Sequence, residues 1–258
     1  MHIQQLFNLQ GKVALVTGGA GKYGKCIVEA LGEAGATVVI ASRNLEEGRK
    51  TADAFRAQGL LVDALRLDQG DHGSIAALTA QVRDQYGRLD VFVNNAVSRP
   101  MKGYDAPIEQ FAESMQVNAT GMMDLLREMA ALIAESGGGS IINIASMMGM
   151  KGPDLSNYEG TDMGHPPPDY FFHNAGLINL SRYLARILAG KQVRVNCISP
   201  GGLFNHQPEQ FLHNYCRKVP LGRMANNDDI KGLVVLLASD AGAYINGENI
   251  LMDGGLNA

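Results

Sequence analysis

Thr17-Gly18-Gly19-Ala20-Gly21-Lys22-Tyr23-Gly24 follows a β-branched, apolar run, Lys12 to Thr17, that reads as a buried strand. It precedes Lys25 to Ala34, whose apolar residues recur at helical spacing up to Gly35. Glycines at 18, 21 and 24 let the backbone turn tightly, approach a pyrophosphate and pack a helix against a sheet. The helix N-terminus adds unpaired N–H groups suited to phosphate. Strand before and helix after give this pattern the context of a dinucleotide-binding turn, so Gly18, Gly21, Lys22, Tyr23 and Gly24 are expected to touch a nucleotide.

Outward from that turn, short β-branched runs alternate with longer helix-period segments. Further strands are predicted at Thr37–Ala41, Leu61–Leu67, Leu89–Val93, Ser140–Ala145, Val193–Ile198 and Ile250–Met252. Helices are predicted at Leu45–Gln58, Ser74–Tyr86, Ile108–Ser136, Ala175–Leu188 and Asp228–Ala238. Such alternation builds an α/β fold of three layers, doubly wound, with a central parallel sheet flanked by helices. With no internal repeat or linker, residues 1–258 read as one domain. Two irregular stretches, 147–169 and 201–219, follow predicted strand ends, where open α/β sheets bind ligands, and are expected to shape the substrate site.

Composition narrows the partner. The 258 residues carry 22 Lys and Arg against 26 Asp and Glu, a formal charge of −4 with the basic residues scattered. Neither nucleic acid nor an anionic membrane is expected, and a small molecule is. Cys26, Cys197 and Cys216 share no CxxC spacing, so neither a disulfide framework nor a metal site is expected. The first ten residues lack a basic region followed by an apolar run, and no stretch approaches 18 apolar residues, so a cytoplasmic protein is expected.

After the second strand, a dinucleotide fold that uses NAD places an acid on the ribose 2′-hydroxyl. Here stand Ser42-Arg43-Asn44. A guanidinium and a hydroxyl suit a 2′-phosphate, so NADP(H) is expected in preference to NAD(H), the alternative cofactor.

Read end to end, the chain resembles the short-chain dehydrogenase/reductase family. The resemblance rests on the glycine turn, Asp68, Asn94-Asn95-Ala96, Asn118-Ala119-Thr120-Gly121, Ser146, Tyr170 ahead of a helix, Pro200-Gly201 and the closing Asn246 to Gly255. In the glycine turn Lys22 occupies a usual glycine position, and Val97 replaces the glycine that often ends the NNAG motif. The resemblance implies a Rossmann-type fold and an NADP(H)-dependent oxidoreductase. Asp68, with Gln69, would hold the adenine, Asn95 and Ala96 the adenosine ribose, and Pro200, Gly201 and Leu203 the nicotinamide end. Asn118 would order a water, Ser146 would hydrogen-bond the substrate carbonyl, and Tyr170 would exchange the proton.

Two tyrosines compete for that role. Tyr158 lies twelve residues after Ser146, close to the family spacing, but Pro166-Pro167-Pro168 follow and no helix runs through them. Tyr170 opens a segment with helical apolar period, so it is assigned, with Tyr158 on an inserted loop like that of some sugar- and polyol-oxidising relatives. The family's lysine, four residues after the tyrosine, is here Asn174. A nearby ammonium favours the phenolate, and the lysine also bonds the nicotinamide ribose; Asn174 can keep some ribose bonding but brings no charge. Losing about 2–4 kcal/mol of electrostatic help slows a proton-transfer-limited step roughly 30- to 10³-fold, more in alcohol oxidation than in carbonyl reduction.

His173 points about 100° from Asn174 on a helix, so a surface or loop contact is expected of it. Met147, Met148 and Met150 are expected to line an apolar wall. His165, His206 and His213 are open to solvent or substrate contact. Three functions fit: reduction or oxidation of a carbonyl or hydroxyl on a small polar substrate such as a sugar or polyol derivative; redox-neutral or non-redox chemistry on the same nucleotide-bound fold; or a catalytically impaired nucleotide-binding regulator. Retention of Asn118, Ser146 and Tyr170 favours the first two. The apolar C-terminal strand and helix resemble those with which family members form homo-oligomers, a tetramer or dimer.

Overall fold

The computed structural model describes residues 1–258. Seven parallel strands, β1 (Val13–Thr17), β2 (Thr37–Ser42), β3 (Val62–Arg66), β4 (Val91–Asn94), β5 (Gly139–Ile144), β6 (Val193–Pro200) and β7 (Asn249–Met252), form one sheet in the order β3-β2-β1-β4-β5-β6-β7. The chain runs outward from β1 to β3 and then returns to place β4 on the other side of β1, pairing Leu15 with Val39 of β2 and Phe92 of β4. That reversal opens a crevice beyond the carboxyl ends of β1 and β4.

The helices are α1 (Ile3–Leu6), α2 (Lys22–Glu33), α3 (Leu45–Arg56), α4 (His72–Tyr86), α5 (Ile108–Met115), α6 (Met122–Glu135), α7 (Pro168–Ile187), α8 (Glu209–Cys216) and α9 (Lys231–Ala238). Alternate residues of each central strand feed two cores, which gives three layers. Leu15, Val39 and Phe92 pack with α4, α6 and α7 through Leu78, Leu125 and Leu177, while Val16, Ile40 and Val93 pack with α2, α3 and α9 through Ile27, Phe55 and Val234. Buried polar bonds tie α7 to the sheet: Asn94 Nδ2 donates to Asn143 Oδ1 (3.0 Å), and Asn143 Nδ2 to Ser181 Oγ (2.9 Å).

Several boundaries differ from the sequence reading. Helix α2 begins at Lys22, since Lys25 N already bonds Gly21 O (2.9 Å) and the turn passes directly into the helix. The predicted helix 108–136 is broken by a π turn, Gln116–Gly121. Helix α7 starts at Pro168 rather than Ala175, because a proline without N–H costs nothing in a first turn. The predicted helix 228–238 opens as a 3-10 turn, Asn227–Ile230, which Asn226 caps in a box with Asp229, before α9 begins at Lys231. Within the stretch read as irregular, 201–219, lies α8. No helix is long and apolar enough to cross a membrane.

Candidate active site

One cavity of about 840 Å³ opens along the carboxyl ends of the strands, near the top of the usual range for ligand clefts, about 300–1,000 Å³. At its floor, Gly18 has φ +63°, and a Cβ on Gly24 would stand 2.1 Å from Gly18 O. Gly21 caps α2 without a side-chain hydrogen bond, leaving the first helical N–H groups for a ligand. Thr17 Oγ1 accepts from Asn95 N and Ala96 N (both 2.9 Å), and Asn95 Nδ2 donates to Thr17 O (3.0 Å), locking the ends of β1 and β4 together. Glycine at 24 thus lets α2 start at backbone contact with the turn, which aims its first N–H groups into the cavity, so the residues present fit a dinucleotide pyrophosphate.

The cavity gathers most of the residues singled out in the sequence. Gly18, Gly21, Lys22, Tyr23, Gly24, Ser42, Asn44, Gln69, Asn95 and Ala96 line one end, and Asn118, Ser146, Tyr170, Asn174, Pro200, Gly201 and Leu203 the other. Two residues stand off its wall. Arg43 is exposed and makes no hydrogen bond or ion pair within the chain; Asp68, half-buried, uses Oδ1 to accept from Gly70 N (3.1 Å). Glu47, not singled out in the sequence, joins Ser42 and Asn44 at that end, so a carboxylate does stand near the position read as suited to a 2′-phosphate.

Around Tyr170 the polar groups form a buried chain. Asn118, in the π turn, accepts from Ser98 N at Oδ1 (2.9 Å) and donates through Nδ2 to Ser98 O (2.8 Å) and Ser114 Oγ (3.0 Å). Ser114 Oγ then donates to Asp169 Oδ2 (2.6 Å). Both Nδ2 hydrogens of Asn118 are thereby used within the protein, while its Oδ1 keeps a second lone pair. Ser146 Oγ accepts from Met148 N (3.2 Å) and keeps its own proton to donate. Asn174, 2% exposed, folds its Nδ2 back onto Tyr170 O (2.7 Å), so its amide is turned into the helix, and less of it is left for a ribose than the sequence suggested.

His173 corrects the sequence reading. It is buried, lines the cavity and meets the Tyr170 ring edge-on at 5.3 Å between centroids. Burial holds its imidazole at a pKa of about 4, with Asp169 opposing and Arg99 adding to the fall. At neutral pH it is an uncharged group, and its Nε2 has no partner in the chain. The cation beside Tyr170 is Arg99, whose Cζ lies 4.6 Å over the ring centroid. No motif marked it.

Tyr158 lines the same cavity, edge-on to both Phe211 and His165, and burial pushes its phenol up. The loop that carries it is bound to α8. Lys218 Nζ reaches Asp154 Oδ2 (2.7 Å), Ser156 Oγ (2.5 Å) and Asn157 Oδ1 (2.7 Å), and Asn214 Nδ2 donates to Glu159 O (2.9 Å). Under it Met147, Phe211, Tyr215 and Met224 form a small apolar core, which meets the expectation for Met147; Met148 packs against it, and Met150 is exposed. His165 joins the lining, whereas His206 and His213 do not.

Residues 23–257 match the family model described as Enoyl-(Acyl carrier protein) reductase. The chain is 30% identical to the 3-oxoacyl-(acyl-carrier-protein) reductase of Thermotoga maritima, covering 96% of this chain and 98% of that one. It is 31% identical to the 2-dehydro-3-deoxy-D-gluconate 5-dehydrogenase of Dickeya dadantii, covering 98% of each. Among solved structures it resembles a gluconate 5-dehydrogenase from Burkholderia cenocepacia in complex with NADP and tartrate (TM-score 0.88, 26% identity, 99% and 98% covered). It also resembles a short chain dehydrogenase from Leptospira borgpetersenii with bound NAD+ (TM-score 0.87, 30% identity, 100% and 96% covered). With sheet order, glycine cradle and near-complete coverage in agreement, the chain belongs to the short-chain dehydrogenase/reductase family.

Proposed function

We propose that this protein is an NADP(H)-dependent oxidoreductase that interconverts a carbonyl and a hydroxyl group on a small polar substrate, a sugar or polyol derivative. The observation that carries the reading is one continuous cavity with a pyrophosphate cradle at one end and Ser146 and Tyr170 at the other. When bound, the reduced nicotinamide supplies a hydride to the carbonyl carbon. Ser146 donates a hydrogen bond to the carbonyl oxygen, and Tyr170 gives that oxygen its proton; in oxidation Tyr170 takes the proton back. Gly18, Gly21, Lys22, Tyr23 and Gly24 hold the pyrophosphate, Gln69, Asn95 and Ala96 the adenosine, with Asp68 reaching it from beside the wall through the oxygen that Gly70 leaves free, and Pro200, Gly201 and Leu203 the nicotinamide end.

A polar substrate is supported by Asn205 in the lining, whose side chain makes no hydrogen bond within the chain, and by the sugar-acid names of the Dickeya and Burkholderia relatives. The free guanidinium of Arg43 supports NADP(H), against Glu47. Both cofactor affinities, measured on the unmodified protein, Arg43→Ala and Glu47→Gln, test this: tighter NADPH than NADH binding, weakened by Arg43→Ala, is expected, and tighter NADH binding refutes it. A screen of ketoses, keto acids and polyols with NADPH and NADP⁺ tests the reaction itself. Turnover without net change at 340 nm would instead mark redox-neutral chemistry.

A further inference from the structure

We propose that Arg99 supplies, across the face of the Tyr170 ring, the positive charge that position 174 lacks, and so favours the phenolate that alcohol oxidation needs. This rests on Tyr170 being the proton-exchanging group of the proposed reaction. Deprotonating a phenol spreads negative charge from oxygen into the ring, so a cation over the ring attracts the phenolate more than the phenol. The Arg99 Cζ stands 4.6 Å above the ring centroid. A guanidinium suits this place, since it stacks flat, is weakly hydrated and does not titrate.

Arg99 is exposed and its guanidinium makes no hydrogen bond or ion pair within the chain, so the ring is the partner of its head, while the backbone before it is held from inside. The buried chain Asp169–Ser114–Asn118–Ser98 closes a circuit around the tyrosine: Asp169 precedes Tyr170, Ser98 precedes Arg99, and Asn118 grips the Ser98 backbone by both its N–H and its C=O. Ser114, Asn118 and Asp169 are each at most 3% exposed, so the frame lies inside the protein while the guanidinium reaches the cavity. Of the other ionisable groups, Asp169 and His173 lie beside Tyr170 on its own helix and Tyr23 faces it from α2, while Lys151, Tyr158 and His165 of the inserted loop line the same cavity. Asp169 gives Oδ2 to Ser114 and keeps Oδ1 without a partner in the chain, while burial keeps His173 neutral and raises both tyrosines, so Arg99 is the cation seated on the ring, opposite the Asp169 carboxylate.

Two readouts test this. The first needs no substrate: nitration by tetranitromethane proceeds through phenolate, and the pH at half-maximal nitration of the Tyr170 peptide is read by mass spectrometry. Arg99→Ala is expected to move that pH up by about one unit, the equivalent of a tenfold change in phenolate fraction at neutral pH. Arg99→Lys should move it less, Ser114→Ala should move it part of the way by loosening the frame, and Lys151→Ala should leave it in place. The second is turnover: Arg99→Ala should slow alcohol oxidation roughly tenfold at pH 7 and approach the unmodified rate near pH 10, with less effect on carbonyl reduction. Adding Asn174→Lys to Arg99→Ala should restore the loss. An unchanged nitration pH in Arg99→Ala overturns the proposal, as does a higher KM alone, which would make Arg99 a substrate anchor. Failure to find any turnover would count against the oxidoreductase reading and leave the nitration result standing on its own.

Discussion

At the scale of single residues, the same helical direction takes two neighbours to different fates. Asn174 was legible in the sequence as an uncharged replacement, but not that its amide would bond Tyr170 O, since that depends on where α7 begins. His173 was placed about 100° from Asn174, and that direction leads not to solvent but to the buried side beside Asp169 and α5. A neutral buried imidazole has a stability consequence. Because its folded pKa is about 4 against 6.5 unperturbed, the unfolded chain takes up the proton first as pH falls. His173 therefore costs no stability above about pH 6.5 and removes stability progressively between 6.5 and 4, by about 3 kcal/mol in all. Urea unfolding at pH 7, 5.5 and 4.5 should show that acid slope, and His173→Phe should flatten it; an unchanged slope would mean the imidazole is not buried in solution.

At the scale of elements, the periodic strands and long helices were legible because burial on both faces writes itself as apolar runs. The π turn was not, since one extra residue in a turn leaves no compositional trace. Its reason lies in packing: a Cβ on Gly121 would stand 1.8 Å from Gln69 O, so the helix passes the β3–α4 loop at backbone contact. Gly121→Ala is expected to lower stability by about 1–3 kcal/mol by urea titration and to weaken nucleotide binding through Gln69. Helix α8 was missed although Phe211, Leu212 and Tyr215 have helical spacing, because it spans two turns and its polar Asn214 faces inward to hold the loop. If α8 anchors the substrate loop, Lys218→Ala should raise hydrogen exchange across residues 151–167 and raise KM several-fold, with NADPH affinity unchanged. Unchanged exchange there would refute the anchor.

At the scale of the whole molecule, the doubly wound sheet and its switch point followed from the order of periodic segments, and nearly every nucleotide-end residue read from motifs falls on one cavity. What remained hidden was produced by distance in sequence: Arg99, Ser114 and Asp169 converge from separate elements with no shared motif. The surface also bears on assembly. Helix α7 presents Phe172, Tyr183 and Ile187, and α5 presents Ile108, each more than half exposed, which makes them the apolar groups available to a contact between copies. A homo-oligomer, dimer or tetramer, is expected by light scattering, and charges placed at Phe172 and Ile187 should dissociate it; a monomer at micromolar concentration would refute it. Both Tyr158 and Tyr170 line the cavity, so the central assignment is decided by comparing them directly. The decisive measurement is NADPH-linked carbonyl reduction by the unmodified protein, Tyr170→Phe and Tyr158→Phe, with NADPH affinity measured on each. Loss of roughly a hundredfold or more in Tyr170→Phe alone, at unchanged affinity, is the expected result; full activity in Tyr170→Phe, with the loss in Tyr158→Phe instead, would contradict it.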